Sequence, residues 1–447
     1  MPITNRLKAD DIAELAEGDA RRILLNSPLH WRQVAIIALC ILLNALDGFD
    51  VLAISFAAPG IAAEWQVDRA ALGIALSMEL IGMGLGSILL GQVADRIGRR
   101  PIILGCLIVM AAGMALASRA YSIETLSFWR LLTGIGIGGM LATISATVAE
   151  ASNARRRNLA VALMSCGYPL GAVLGGSIAS VLLVRHDWRA VFEFGALATA
   201  ACLPLAWWLV PESIEFLLSR GRPSDVARVD RIMRRLGHSG IEHTAPATVA
   251  ARAPQATVWR GASARTTAFL TLAYFTHILT FYFLIKWIPK VVVDMGFPAS
   301  AAGGVLVWTN VGGAAGALLF SALVTVIDVR RLTIAFLALS SGAVMLFGQS
   351  PADLSQLSLL AALAGFCGNA VIIGIYALTA ASFPAEQRAS GVGAVIGIGR
   401  AGAALGPIIA GFLFAAGWPL PLVAIAMGLG SLAGAVALIA LAGGRAG

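Results

Sequence analysis

Two carboxylic acids lie three residues apart inside an almost wholly apolar stretch. Residues 42–55 read LLNALDGFDVLAIS, which includes Asp47 and Asp50. An ionised carboxylate deep in an apolar layer costs about 2.5–3.5 kcal/mol, so such residues usually face a cavity or a partner. Positions i and i+3 share a helix face, and close carboxylates resist simultaneous ionisation, so the pair could take up and release a proton. The alternative is that both acids only hydrogen-bond to neighbouring helices, or that one lies at the outer rim.

Three more ionisable side chains fall within apolar runs. Glu79, in LSMELIGMG, could extend the proton route or pair with an arginine. Arg130, in FWRLLTGIGIGGM, and Arg400, in GIGRAGAALGP, each carry a guanidinium fork that suits bidentate binding of a carboxylate ligand. We predict that both arginines bind substrate, although either could instead be the permanent partner of an aspartate.

The run AYFTHILTFYFLIKWIPKVVVDMGF, at residues 273–297, mixes ring faces with polar tips. His277, Tyr282 and Trp287 are therefore predicted to line the path of an aromatic ligand. Tyrosine and tryptophan also serve as simple anchors at membrane interfaces, and a lone histidine is often a satisfied contact between helices. The titration range of histidine keeps His277 among the candidates.

The remaining polar residues of these runs carry weaker signals. Lys286 and Lys290 are expected near the outer surface, where their ammonium groups could reach water. Asn44, Asn310 and Asn369 are expected to offer neutral hydrogen bonds to a substrate.

Composition shows what must position these groups. Of 447 residues, 58% are hydrophobic and 13% charged, which indicates an integral membrane protein. We predict twelve transmembrane helices, each with about 20 apolar residues. They fall near 33–57, 70–94, 101–118, 125–147, 158–184, 190–210, 266–292, 300–326, 332–349, 356–380, 390–414 and 418–442. The five cysteines lie in these spans at irregular spacing, which supports neither disulfides nor a metal site. No nucleophile with a base and no nucleotide loop stands out, so we predict no catalytic residue, no metal and no cofactor beyond a proton.

The net charge of +8 is distributed unevenly. Most lysines and arginines fall in segments that share one side of the membrane if both ends are cytoplasmic, which is the positive-inside pattern. We therefore predict cytoplasmic termini, a lipid bilayer as partner and no nucleic acid. The first thirty residues are polar and do not resemble a removable signal peptide.

The chain also contains an internal repeat. A shift of 231 places GAVLGGSIA (171–179) over GAALGPIIA (402–410), and Arg157 over Arg388. The same shift aligns the pair Arg99, Arg100 with Arg330, Arg331. The prediction is an all-α membrane protein in which two six-helix bundles are related by pseudo-symmetry. The predicted boundaries are a cytoplasmic segment at 1–32, a first bundle at 33–210, a cytoplasmic connector at 211–265 and a second bundle at 266–447.

The loop between the second and third spans is the most specific motif. It reads GQVADRIGRRP at 91–101 and resembles the G-x-x-x-D-R-x-G-R-R signature of the major facilitator superfamily. A glycine here can allow close helix contact, an aspartate can accept from a helix N-terminus, and the arginines can pair with carboxylates. The resemblance implies that an acid after the fourth span helps to hold this loop in the outward-facing state. The predicted gating residues are Gly91, Asp95, Arg96, Gly98, Arg99, Arg100 and Glu150.

The motifs DGFD, FYFLIKWIPK and GIGRAGAALGP together resemble the aromatic acid/proton symporter family within that superfamily. The resemblance implies that Asp47 and Asp50 are the family's paired aspartates and that Arg400 is its arginine of span eleven. It implies import of an aromatic carboxylic acid, of the benzoate or hydroxybenzoate class, with protons by alternating access. We expect a monomer in a bacterial inner membrane. The alternatives are another organic acid or a sugar as substrate, proton–drug antiport, and a membrane receptor or enzyme.

Overall fold

The computed structural model describes residues 20, 23–220, 222–238 and 261–443. The predicted segment 1–32 and connector 211–265 therefore lie partly outside the described residues. In the described part, twelve helices are long and apolar enough to span a membrane. The first half of the chain contains α1 Trp31–Trp65, α2 Arg69–Ile97, α3 Arg99–Ala117, α4 Ile123–Ala151, α5 Arg157–Arg185 and α6 Arg189–Leu209. The short helices α7 Ile214–Ser219 and α8 Pro223–Arg235 follow. The second half contains α9 Gly261–Asp294, α10 Ala299–Leu323, α11 Val329–Gln349, α12 Leu354–Ser382, α13 Ala385–Gly399, α14 Ala401–Ala415 and α15 Leu420–Gly443.

The predicted fold class is confirmed: the chain forms an all-α membrane protein with twelve spans in two bundles. The exact domain boundaries stay predictions. Because the number of spans is even, α1 begins and α15 ends on the same face, which we call the terminal face. The other face carries the loops between α1 and α2 and between α9 and α10, and we call it the opposite face.

Polar caps fix where several helices begin. Asp68, before α2, accepts a hydrogen bond from the backbone N–H of Ala71 at 2.6 Å. Asp353 accepts in the same way from Gln356 at 2.8 Å, before α12. The side-chain oxygen satisfies one of the N–H groups that the first helical turn leaves unpaired.

Glycines let the helices of each half approach closely. A Cβ added at Gly134 on α4 would lie 2.1 Å from the backbone oxygen of Glu79 on α2. Its counterpart after the 231-residue shift, Gly365 on α12, faces the backbone oxygen of Thr309 on α10 at 2.0 Å. Lipid is as apolar as the side chains, so the hydrophobic effect does not drive membrane helices together. Close packing at small residues drives their association instead. The two halves therefore use the same packing device.

The halves meet toward the opposite face. A Cβ at Gly73 on α2 would lie 2.6 Å from the Pro407 oxygen on α14, and one at Gly411 would lie 2.6 Å from the Arg69 oxygen. Arg69 also pairs with Asp294 across the halves at 3.1 Å. The helix α13 continues the span of α14 toward the terminal face, and it packs against α9 and α12 of its own half. The two halves thus close against each other toward the opposite face.

Candidate functional site

Five ionisable side chains form a buried charge cluster midway along the spans. They are Asp47 and Asp50 on α1, Glu79 on α2, Arg130 on α4 and Lys286 on α9, and each is at most 2% exposed. The first four belong to the first half and the fifth to the second. Burying several charges inside a membrane protein costs free energy, so such residues usually have a function.

Both terminal nitrogens of the Arg130 guanidinium have partners within the first half. Its guanidinium forms an ion pair with Glu79. It also donates to the backbone oxygen of Asp50 at 2.6 Å and to the Met114 sulfur at 2.8 Å, and it lies over the ring of Phe192. The prediction that Arg130 binds substrate is therefore corrected, because its fork is already occupied and none of its surface is exposed.

Lys286 also differs from its prediction. It does not reach the outer surface: it is fully buried, its Nζ lies 3.6 Å from a Glu79 carboxylate oxygen, and it donates to the backbone oxygen of Val51. Glu79 is thus shared between a guanidinium of its own half and an ammonium of the other. Lys290, four residues on, pairs with Asp294 near the opposite face, as expected for a residue at the surface.

The two aspartates are buried without partners. All four carboxylate oxygens of Asp47 and Asp50 lack a hydrogen bond to the residues that the structure describes. Close helix packing holds the pair in place. A Cβ at Gly48, between them, would lie 2.1 Å from the Tyr168 oxygen on α5, so α1 and α5 touch backbone to backbone. Buried polar groups normally have partners, and an orphaned carboxylate is therefore a candidate for chemistry.

A second group of polar residues surrounds Arg400. This residue lies within span eleven, between α13 and α14, and its backbone stays helical with φ −60° and ψ −20°. It is partly exposed, and no carboxylate pairs with it in the described chain. Its guanidinium lies near Tyr274, Tyr282 and Tyr376.

Four of the five tyrosines of the chain converge on this place. The hydroxyls of Tyr274 and Tyr376 are 3.2 Å apart. Tyr282 on α9 lies near Tyr168 on α5, so side chains of the two halves approach each other here. Apart from buried Tyr274, these rings are partly exposed. Sequence reasoning found Tyr282 and Arg400 but missed the other three, because no local pattern links residues so far apart in the chain.

The other predicted substrate contacts divide into two sets. Asn310 and Asn369 are partly exposed, and Asn310 donates to the Leu306 oxygen of its own helix at 2.9 Å. Asn44, His277 and Trp287 are buried, with 2% exposure or less.

These three buried side chains have partners of their own. Asn44 donates to the Met164 oxygen at 2.7 Å. His277 donates through Nε2 to the Gly368 oxygen at 3.0 Å, while its Nδ1 lies 2.9 Å from the Ser431 hydroxyl. The Trp287 indole donates to the Pro407 oxygen at 3.1 Å. The prediction that they contact substrate is corrected in this conformation, because each binds its own surroundings instead.

The loop between α2 and α3 forms a separate polar site at the terminal face. Arg99 pairs with Glu150, as predicted. The backbone N–H groups of Arg99 and Arg100 both donate to the carboxylate of Glu212, the former at 2.8 Å. Gly98 has a φ of 104°, and a Cβ there would lie 2.5 Å from the same carboxylate.

Other expectations for this loop are corrected. Asp95 is exposed and Glu212 accepts from the start of α3 in its place. Nothing lies within 4 Å of a Cβ built at Gly91, so this glycine makes no close helix contact. Arg96 is exposed in the last turn of α2, and Arg100 donates to the Trp207 oxygen at 2.8 Å instead of pairing with a carboxylate.

Two membrane bundles that enclose a polar site at their interface and close over it at one face have the fold of a secondary transporter. The chain belongs to the Major Facilitator Superfamily, whose profile matches residues 40–308 and 270–445. The predicted resemblance to this superfamily is confirmed.

Curated relatives span nearly the whole chain. A gallate transporter of Pseudomonas putida is 31% identical over 430 residues, which cover 94% of each protein. The 4-hydroxybenzoate transporter PcaK of the same species is 31% identical over 408 residues, 90% of each. Among solved structures, a bacterial homologue of the human lysosomal transporter Spinster superposes with a TM-score of 0.69 at 16% identity, covering 92% of this chain and 95% of its own. That likeness establishes the fold, and the family establishes a multi-pass membrane transporter.

Proposed function

We propose that this protein imports an aromatic carboxylic acid, of the benzoate or hydroxybenzoate class, together with protons. The observation that carries the proposal is the guanidinium of Arg400. Arg400 as a residue is partly exposed, and its guanidinium has aromatic neighbours and no carboxylate partner among the described residues. A carboxylate ligand would supply the missing counter-charge through a bidentate contact.

The tyrosines favour an aromatic acid over an aliphatic one. Tyr168, Tyr282 and Tyr376 lie near the guanidinium, and stacked or edge-to-face contacts of their rings with an aromatic ligand are worth about 0.5–1.5 kcal/mol beyond area burial. Their hydroxyls can also bond to phenolic groups on the substrate. Relatives named as gallate and 4-hydroxybenzoate transporters support this choice.

The proton step is assigned to Asp47 and Asp50, with Glu79 beside them. Burial of an unpartnered charged carboxylate is costly, and a protonated carboxyl avoids most of that cost. A conformational change that opens the cluster to either solution would then load or release the proton. Neutralisation also helps import of an anion, since each elementary charge moved against 100 mV costs about 2.3 kcal/mol.

We propose that the terminal face is cytoplasmic, in a bacterial inner membrane. The cationic loops support this orientation, because the described part of the connector and the loop around Arg99 lie on that face. The structure is then closed toward the outside. The ion pair of Arg99 with Glu150 is already formed in it, so this pair is not confined to the outward-facing state that the resemblance implied.

Uptake by purified protein in proteoliposomes tests the proposal. The probe is labelled 4-hydroxybenzoate with an inward proton gradient, and protein-free vesicles correct for diffusion of the neutral acid. We expect saturable uptake that a protonophore abolishes and that gallate or benzoate inhibits. Benzamide, which has the ring without the charge, should inhibit poorly. Inhibition by glucose or an aliphatic acid in place of aromatic acids would identify another substrate class, and drug-driven proton movement in the reverse direction would indicate antiport.

A further inference from the structure

Lys286 occupies an unusual place. Its helix, α9, belongs to the second half, yet its ammonium lies among groups of the first half. It is fully buried, 3.6 Å from the carboxylate of Glu79 on α2, and hydrogen-bonded to the Val51 oxygen on α1. Among the described residues, Lys286 is the buried cation of the second half that lies within the charge cluster of the first half.

The charges of the cluster do not balance within the first half. This half supplies three carboxyl groups, from Asp47, Asp50 and Glu79, but Arg130 is its own buried cation. The other titratable groups that face the cluster are the Cys106 thiol on α3, near Asp47, and the hydroxyls of Tyr168 on α5 and Tyr282 on α9, near Glu79. All three are neutral in their usual form. With Lys286 in place, a single proton makes the cluster neutral; without it, the cluster needs two.

We propose that Lys286 is a mobile counter-ion that exchanges with the transported proton. This inference rests on the proposed function, to which it adds the element that couples the two halves. The contacts that close the opposite face, between α2 and α14 and between Arg69 and Asp294, hold α9 against the first half. When these contacts open, α9 and the ammonium leave Glu79 together.

The direction of exchange matches import. While the opposite face is open to the outside, the cluster lacks the ammonium, and a proton from the external solution binds to a carboxylate oxygen. When the face closes, the ammonium returns beside Glu79 and replaces the proton as counter-charge. The proton then leaves the carboxyl oxygen for water on the cytoplasmic side. Like charges in a low-dielectric site exclude each other, so the cluster holds the ammonium or the second proton but not both.

Lys286→Met tests the inference, because methionine fills a similar volume without charge and leaves Glu79 paired with Arg130. Two assays are run on the same vesicles: accumulation of labelled acid driven by a proton gradient, and exchange of labelled for unlabelled acid at equal pH. A gradient of one pH unit sustains about tenfold accumulation for one proton per substrate. We expect the variant to lose this accumulation while exchange stays within about threefold of wild type, since exchange needs no net proton release.

Two further variants serve as controls. Lys290→Met removes a lysine one helical turn away, at the surface, and should accumulate substrate as wild type does. Lys286→Arg keeps the positive charge and should restore accumulation. If Lys286→Met does not insert, the double variant Glu79→Gln, Lys286→Met removes one charge of each sign and should again exchange without accumulation.

The outcomes separate this inference from the proposed function. Wild-type accumulation by Lys286→Met would overturn the counter-ion role while leaving aromatic acid transport intact. Loss of both exchange and accumulation in a folded variant would also overturn it, because Lys286 would then be needed for conformational change itself. If wild-type protein neither exchanges nor accumulates any aromatic acid, the proposed function fails instead.

Discussion

Arg400→Gln should weaken binding of aromatic carboxylates much more than binding of their neutral analogues. Hydrogen bonds to a charged group contribute about 1.5–3 kcal/mol, and Arg400 has no protein carboxylate in the described structure that would compete for them. Its loss should therefore raise the Kd for 4-hydroxybenzoate roughly 10- to 150-fold. The Kd for 4-hydroxybenzamide, which lacks the charge, should change little.

The assay is calorimetric titration of detergent-purified protein with both ligands. Arg400→Lys keeps the charge without the planar fork, so it should fall between wild type and the glutamine variant. Arg388→Gln is the matched control: this arginine is exposed and lies about 18 Å away along the same span, at 1.5 Å per residue. An unchanged Kd for the carboxylate in Arg400→Gln, or an equal loss for acid and amide, would refute the assignment.

Three other variants test separate parts of the structure. The double variant Asp47→Asn, Asp50→Asn should abolish proton-driven accumulation, and normal accumulation would remove the support for the proton site. The variant protein should also unfold at a higher temperature, because two unpartnered buried acids are removed. Gly134→Ala should lower the free energy of unfolding by about 1–3 kcal/mol in a denaturing-detergent titration, because the added Cβ would lie 2.1 Å from the Glu79 oxygen. In the control Gly84→Ala the added Cβ has open space around it, so the free energy of unfolding should change by less than about 0.5 kcal/mol. Glu212→Ala should lose about 0.5–2 kcal/mol by the same measurement, because two N–H groups at the start of α3 lose their acceptor; an unchanged value would show that water replaces it.

The number and order of the spans could be predicted from the sequence because each needs an apolar run of fixed length. Their ends differ, as in the first span, which was predicted at 33–57 and is helical over Trp31–Trp65. Helices continue past the hydrocarbon layer, where hydropathy no longer reports on them.

The charged residues show where sequence reasoning stops. It identified Asp47, Asp50 and Glu79 because an acid in an apolar run stands out. It placed Lys286 at the surface, which is the usual location for a lysine near a helix end, because the partner Glu79 lies in the other half of the chain. It missed Glu212 as the acceptor at the start of α3 for the same reason: the contact joins residues more than a hundred positions apart.

The most direct test of the central claim is a simultaneous measurement of acid and proton flux. Vesicles containing the protein and a trapped pH indicator receive labelled gallate, a poorly permeant acid, with the membrane potential clamped by potassium and valinomycin. We predict that gallate entry acidifies the interior beyond protein-free vesicles, and that Asp47→Asn, Asp50→Asn abolishes this acidification. Gallate entry at full rate with no proton movement would contradict the account.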